Sequence, residues 1–327
     1  MSSSNCTVVI PNWNGGARLR RVLEDLGKQT ERAARVLVVD NGSTDESGDA
    51  AEDAGAEVVR FSENLGFAKA VNAGLERAST PLVAILNNDL ELTPDWLAQM
   101  TAGLGRYADA SFAAGKIFSA QQRDRLDGTF DLISRGLAAW RAGHDRADGA
   151  EWNRERYIAA ASLTAAVFRR DVFTRVGMLD ERFGSYLEDV DLALRCALEG
   201  LTGVYLPRAV CYHAGSATLG AWSAETVRLM ARNQVLLAAK FGSNRHTALA
   251  QRLWGLLAAR HGRLGAWRKG RGQGRTMVAA GEVGLVAPNA AVMLESTLAE
   301  QERELRRLQE AGGAPMDRFW RVYFGLP

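Results

Sequence analysis

Four short apolar runs, each ending in a cluster of Asn, Asp, Gly or Ser, constrain the fold of this chain more than any other feature. They are Thr7-Val8-Val9-Ile10, Arg35-Val36-Leu37-Val38-Val39, Glu57-Val58-Val59-Arg60-Phe61 and Leu82-Val83-Ala84-Ile85-Leu86. Their length and β-branched content predict buried strands, while 17–28, 44–54 and 67–78 repeat apolar residues at helical spacing. A strand–helix alternation of this kind predicts an α/β fold, a mainly parallel sheet with helices on both faces. Ligands of such sheets bind beyond the carboxyl ends of the strands. The polar clusters fall there: Pro11-Asn12-Trp13-Asn14-Gly15-Gly16, Asp40-Asn41-Gly42-Ser43-Thr44-Asp45, Asn64-Leu65-Gly66-Phe67 and Asn87-Asn88-Asp89. One such loop is ordinary turn and helix-cap chemistry. Four in succession predict a ligand crevice.

With 327 residues, 47% of them apolar, the chain can bury a substantial core and form two domains, which excludes disorder as its main state. No run of about 18 uncharged apolar residues occurs, and the first six residues lack the pattern of a secretory signal, so a soluble, cytoplasmic protein is expected. Cys6, Cys196 and Cys211 are odd in number and widely spaced, which predicts reduced thiols rather than disulfides or a zinc cluster. The net charge of +2 hides a regional excess, since 226–281 carries eleven Lys or Arg and no Asp or Glu. That stretch suits a membrane surface, a lipid phosphate or nucleic acid, and equally a solvated helical face. Within it, Leu249, Leu253, Trp254, Leu256 and Leu257 alternate with Arg252 and Arg260, a stripe more often buried than membrane-bound. Residues 296–310 read as a helical arm or short coiled coil able to support a homodimer, and 121–153 as a polar, Gly-dotted excursion without periodicity.

The sequence has neither a Walker loop nor a Gly-x-Gly-x-x-Gly turn after a strand, so phosphate must be handled differently. Asp89 ends a strand in an otherwise uncharged Leu-Asn-Asn-Asp run and offers one hard oxygen, the kind of ligand that Mg²⁺ or Mn²⁺ combines with substrate phosphates and water. Glu188-Asp189-Val190-Asp191 opens a helical pattern. Glu188 and Asp191 are explained there by the helix dipole and by pairing of Asp191 with Arg195. Asp189, projecting from a helix start, suits a general base. His213, closing another strand-like run, is a candidate metal ligand, though a lone His is more often structural.

Four stretches in this order carry a resemblance: VVIPNWNGG; VVDNGSTD with ENLGFAKAVNAG; AILNNDLELTPDWL; and RRDVFTRVGMLDERFGSYLEDVDLALRCALEG continuing to YLPRAVCYHAGSAT. Over residues 6–220 the chain resembles the family 2 glycosyltransferases of GT-A fold, most closely their bacterial rhamnosyltransferase-like branch. The resemblance implies an inverting transfer of a sugar, a deoxyhexose such as rhamnose, from a dTDP- or UDP-linked donor to a glycan, lipid-linked or small-molecule acceptor. It implies that Pro11, Asn12, Asn14, Asp40, Asn64, Gly66, Lys69 and Asn88 line the donor pocket. Asp89 and His213 would bind Mg²⁺ or Mn²⁺, and Glu188 and Asp189 would be the catalytic carboxylates, with Asp189 the base. Asn87 departs from the Asp that many relatives carry, removing one negative charge. The expected division is a catalytic domain, 1–220, and a basic helical region, 221–327, for acceptor, membrane or oligomer contacts, which would place the protein at the inner face of the plasma membrane. A non-catalytic nucleotide-sugar-binding or scaffold protein and a sugar nucleotidyltransferase are the alternatives. Nucleic-acid binding is not expected, because the tail has no recognition module.

Overall fold

The structure, a computed structural model, describes residues 5–215, 222–311 and 315–326. Its first third follows the hydrophobic pattern: β1 (Cys6–Asn12), α1 (Gly16–Gly27), β2 (Arg35–Asn41), α2 (Ser47–Asp53), β3 (Glu57–Phe61), α3 (Phe67–Arg77) and β4 (Leu82–Leu86). The apolar spacing of α1 buries Leu19, Val22, Leu23 and Leu26 on one face. β1 is buried along nearly its whole length, as a central strand covered on both sides must be. Next come β5 (Leu90–Leu92), α4 (Trp96–Arg106) and β6 (Phe112–Ser119), then the excursion with β7 (Leu126–Gly128), β8 (Asp131–Ile133), β9 (Ala139–Arg141) and β10 (Arg156–Ile158). β11 (Ala165–Arg169), α5 (Asp171–Val176), α6 (Glu188–Leu198) and β12 (Gly203–His213) complete the sheet region.

Among the described residues the main sheet runs β10-β12-β6-β11-β4-β1-β2-β3, with β5 on β12 and β7 on β6, while β8 and β9 form a separate hairpin. The β4-β1-β2-β3 part is parallel, and β12 pairs parallel with β6. β11 enters antiparallel between β4 and β6. The parallel register sets Asn12 of β1 beside Asp40 of β2, so the loops after these strands leave the same rim.

The excursion is not a solvated loop. Trp140 and Trp152 are buried in it, and they join the main apolar cluster with Val9, Ile85 and Phe168.

The C-terminal region is helical, as expected: α7 (Ala224–Phe241), α8 (Arg245–Arg260), α9 (Leu264–Ala279), α10 (Ala290–Ala311) and α11 (Arg318–Tyr323). Asn244 and Thr247 start α8 with a reciprocal capping box. Gly270 and Gly274 on α9 let it close on α7, because a Cβ at these positions would meet the carbonyl oxygens of Arg228 and Arg232 at 2.0 and 2.8 Å. The stretch 296–310 lies in α10, whose Gln301 and Glu302 accept hydrogen bonds from the backbone of Ile133 and Arg135 at 2.9 Å each. Trp320 and Tyr323 of α11 are buried in the same cluster as the sheet residues, each contributing roughly 1.5–3 kcal/mol of transfer free energy. In the amphipathic stripe Leu253 is buried and Leu249 packs on the core, whereas Leu256 is 67% exposed. Among the described residues no helix is long and apolar enough to cross a membrane, and all three cysteines are free and buried.

Candidate functional site

The rim of the parallel strands is tied together by amide and hydroxyl side chains. Asn12, buried at the end of β1, donates to Ser47 Oγ at 2.8 Å, Ser43 Oγ at 3.2 Å and Asp40 Oδ1 at 3.3 Å, and accepts from Asn88 Nδ2 at 2.8 Å. Asn14 accepts from the Thr44 amide at 2.8 Å, and its own amide donates to Ser43 Oγ at 2.9 Å. Asn41 donates to Asn64 Oδ1 at 3.0 Å and to the Gly66 carbonyl at 3.1 Å. Thus Asn12, Asn14, Asp40 and Asn88 form one lattice across three loops, Pro11 lies in β1 beside it, and Asn64 and Gly66 belong to a second lattice on the next loop. Lys69 instead pairs with Glu181 at 2.9 Å, both about half exposed.

Asp89 and His213 meet because β12 runs antiparallel to β5, with His213 opposite Leu90. His213 Nε2 stands 3.3 Å from Asp89 Oδ1, and its Nδ1 stands 2.9 Å from Asp127 Oδ2. Burial alone would lower the imidazole pKa, but Asp127 and Asp89 outweigh it and raise it to about 9. Among the described residues no group of three or more His, Cys, Asp or Glu side chains is arranged to hold a metal. The pair of Asp89 and His213 still fits a Mg²⁺- or Mn²⁺-type ion, which needs one or two protein ligands beside phosphate and water. Asp127 on the far ring nitrogen is the kind of partner that fixes the tautomer of a metal-ligating His. Asn87 donates its backbone N–H to Thr164 O at 2.9 Å, and Ser216, Ala217 and Thr218 at the end of the quoted pattern lie outside the described residues.

From His213 a charged chain leads into the excursion. Asp127 accepts from Arg141 at 2.6 Å, and Arg141 also donates to Ser162 Oγ at 2.9 Å and Thr164 Oγ1 at 3.2 Å. Asp131 faces Arg141 across the β8–β9 pair. It is 6% exposed, and burial pushes its carboxyl up to about 7 against the pull of Arg141. Asp189 interacts electrostatically with the same two groups, Arg141 and Asp131. Thus Asp89, Asp127 and His213 are in direct contact, and Asp189 is linked to them through the charges of Arg141 and Asp131.

Asp189 lies in the first turn of α6, where its Oδ1 accepts the Val190 N–H at 2.8 Å. Burial raises its pKa, and the Val190 N–H and Arg141 hold it back. Glu188 is buried with Oε2 unpaired among the described residues, and burial, aided by the Asp189 and Asp191 charges, raises its carboxyl well above the ordinary range. Asp191 pairs with Arg195 four residues on at 2.8 Å, as the spacing predicts, and also with Lys240 of α7. The turn before α6 is strained. Tyr186 and Leu187 have φ of 72° and 66°, a conformation that costs non-glycine residues of order 1–3 kcal/mol each.

Sequence reasoning missed Asp127, Asp131 and Arg141, all inside the stretch read as a variable excursion. The one available signal was Trp140 and Trp152 within it, because two tryptophans in a polar loop are costly unless buried.

Comparison with known proteins bears on this geometry. A family model described as "Glycosyl transferase family 2" matches residues 7–177. An N-acetylglucosaminyl-diphospho-decaprenol L-rhamnosyltransferase of Mycobacterium tuberculosis is 29% identical over 234 residues, covering 63% of this chain and 75% of that protein. A pre-mycofactocin glycosyltransferase of the same species is 31% identical over 228 residues, 68% of this chain and 45% of that one. Among solved structures, GalNAc-T7 with UDP, GalNAc and Mn2+ superposes with a TM-score of 0.61 at 12% identity, over 84% of this chain and 57% of that chain. Mannosyltransferase PcManGT from Pyrobaculum calidifontis, in complex with GDP-Man and Mn2+, gives 0.51 at 16% identity, over 99% and 85%. These two likenesses concern the fold, and they agree with the expected GT-A architecture.

Proposed function

The chain belongs to glycosyl transferase family 2, and from that premise we propose that it transfers one sugar from a nucleotide diphosphate donor to an acceptor hydroxyl with inversion, using Asp189 as general base. The observation that supports this reading is the run of contacts from Asp89 and His213 through Asp127 to Arg141, whose charge in turn acts on Asp189.

In this reading Asp40, Asn12, Asn14 and Asn88, with Pro11, hold the base and ribose of the donor. Asn64 and Gly66 line the same pocket, and Lys69 joins them only by releasing Glu181. Asp89 and His213 hold Mg²⁺ or Mn²⁺, with Asp127 orienting the imidazole. When bound, the ion neutralises charge that develops on the departing diphosphate. Asp189 accepts the acceptor's proton while that oxygen forms its bond to the anomeric carbon. The bond from that carbon to the diphosphate oxygen breaks on the opposite face, so a single displacement inverts the centre. Burial makes Asp189 a stronger base than a free carboxylate, and the charge of Arg141 opposes that rise. Glu188, the other carboxylate of the pair, is buried beside Asp189 with Oε2 unpaired among the described residues.

A deoxyhexose such as rhamnose, carried on dTDP or UDP, is the donor sugar favoured by the rhamnosyltransferase relative. That relative's name also favours a lipid-linked diphosphate acceptor. The division into catalytic residues 1–220 and a basic region 221–327 fits it, because Arg245, Arg252 and Arg260 of α8 and Arg268, Lys269 and Arg275 of α9 are exposed, as is Leu256 of α8. Such a surface suits the inner face of an anionic membrane. The reading is tested by single-turnover assays over a panel of nucleotide sugars with Mg²⁺ or Mn²⁺. Asp189→Asn is expected to lower kcat by about 10²–10⁴-fold with donor binding retained. Full activity in that variant would refute the base assignment.

A further inference from the structure

The strained turn that delivers Asp189 is gripped from two sides. On one side stands Asn233 of α7, which is wholly buried. Its Nδ2 faces the carbonyl oxygens of Phe183 and Ser185 at 2.9 Å and of Tyr186 at 2.6 Å. The orientation of this amide is fixed, because Arg232 Nε donates to Asn233 Oδ1 at 2.8 Å and Arg232 also donates to the Phe183 carbonyl. An amide held this way has only donors left to offer the turn. On the other side is the loop that opens α3. The Ala68 N–H donates to Gly184 O at 2.8 Å, and the Phe67 N–H donates to Ser185 Oγ at 3.2 Å. Gly66 (φ 93°) and Gly184 (φ 64°) approach so closely that a Cβ on Gly66 would lie 2.9 Å from the Gly184 Cα.

Between these grips the chain passes through Tyr186 and Leu187, two successive bulky residues in the left-handed region, and enters α6 at Glu188. Local preference would relax both residues to negative φ. That rotation would swing the first turn of α6, and with it the Asp189 carboxylate, away from its present line. The Asn233 amide opposes it: its two N–H groups are shared among the three carbonyls, and those of Ser185 and Tyr186 would lose this donor if the turn relaxed.

We infer that Asn233 is a positioning residue for the reaction: it holds the 183–187 turn in its strained form so that Asp189 faces the acceptor. This rests on the reading of Asp189 as the base, and it assigns a role in turnover to the C-terminal helices, which the family match does not reach. A group that sets the aim of the base without touching the donor acts on kcat and leaves donor binding alone. Its loss is compensated by anything that removes the strain it opposes.

The test is a double-mutant cycle on the full chain. Asn233→Ala is expected to lower kcat by about 100-fold while the donor KM changes by less than about 3-fold, the cost of a small misplacement at a reacting group. Adding Leu187→Gly, which adopts positive φ without penalty, is expected to recover about 10-fold of that loss, although Leu187→Gly alone lowers kcat. Hydrogen exchange of the Ala68 and Gly184 amides, which are bonded onto and within the turn at 2.8 and 3.0 Å, is expected to be as slow in the unmodified protein as that of α7. The inference is overturned by an Asn233→Ala variant with kcat within about 3-fold of the parent, by no recovery in the double variant, or by fast exchange of these amides. The exchange measurement decides the matter if Asn233→Ala does not fold. Asp189→Asn, assayed in parallel, separates the two readings: retained activity there removes the base, whereas its loss beside a fully active Asn233→Ala removes only the positioning role.

Discussion

The two sides of the crevice are built by different means. The side proposed for the donor comes from consecutive strand ends, and its central contact, Asn12 to Asp40, spans 28 residues. The side proposed for the acceptor and the metal is assembled from remote pieces. Asp127 reaches His213 across 86 residues, and the turn before Asp189 is held by a helix 48 residues further on. The donor-side lattice ties together the ends of β1, β2 and β4, neighbours in one parallel sheet, so it is fixed once that part of the sheet forms. A constellation gathered from an excursion, a strand end and an added helix depends on the whole chain being docked, so substitutions on the two sides should fail differently: one in donor affinity, the other in turnover.

The largest effect that would sharpen this contrast is expected at Arg141. Its guanidinium lowers the pKa of Asp189 and contacts Asp127. In Arg141→Met the pKa of Asp189 rises, so the base stays protonated to higher pH and the acid limb of kcat/KM shifts upward. At neutral pH kcat is expected to fall by about 100-fold, while calorimetric donor affinity stays within a few-fold. An unchanged pH profile would remove Arg141 from the line connecting the two halves of the site.

Asn12→Ala probes the opposite side with a smaller effect. It strips partners from Asp40, Ser43, Ser47 and Asn88 together. A loss of about 1–3 kcal/mol in stability is expected, read by urea unfolding, with donor KM raised about tenfold and kcat largely retained. A variant that lost turnover with normal donor KM would erase the distinction between the two sides.

What could be read from the sequence follows the same division. Strand–helix alternation is a local signal, and β1 to β4 appear where the apolar runs place them, with the polar clusters on the common rim. Asp89, Asp189 and His213 could be picked out because each ends or begins a periodic segment. Asp127, Asp131 and Arg141 could not, because β7, β8 and β9 are three residues each, too short for any period to register. Their position is fixed by burial of Trp140 and by α10, whose Gln301 and Glu302 bind the hairpin backbone from 168 and 167 residues away. The role of α7 was hidden for a related reason. Asn233 sits in an ordinary amphipathic helix, and only the docked structure reveals the carbonyls it meets. Helical periodicity announces that a face will be buried; it carries no information about which turn that face will support.

The smallest expected effect concerns how α7 is anchored, and it is electrostatic. Lys240 enters the core between Asp180, at 2.6 Å, and Asp191. Burial works to raise the Asp180 carboxyl, but hydrogen bonds from Arg182 and Lys240 prevail and hold it at about 2. A carboxylate depressed in the folded state adds stability above its unfolded pKa of about 3.9 and loses it as the pH falls toward the folded value. The melting temperature of the parent chain is therefore expected to drop between pH 4 and pH 2, and part of that drop should be absent in Asp180→Asn, which starts lower at neutral pH and has no such proton to take up. Lys240 lies on the same face of α7 as Asn233, two turns on, so the same acidification should loosen α7 from the 183–187 turn before the β1–β4 lattice opens. Parallel melting curves for parent and variant through this window would mean that the anchor draws nothing from Asp180, and that the two sides of the crevice are equally secure in acid.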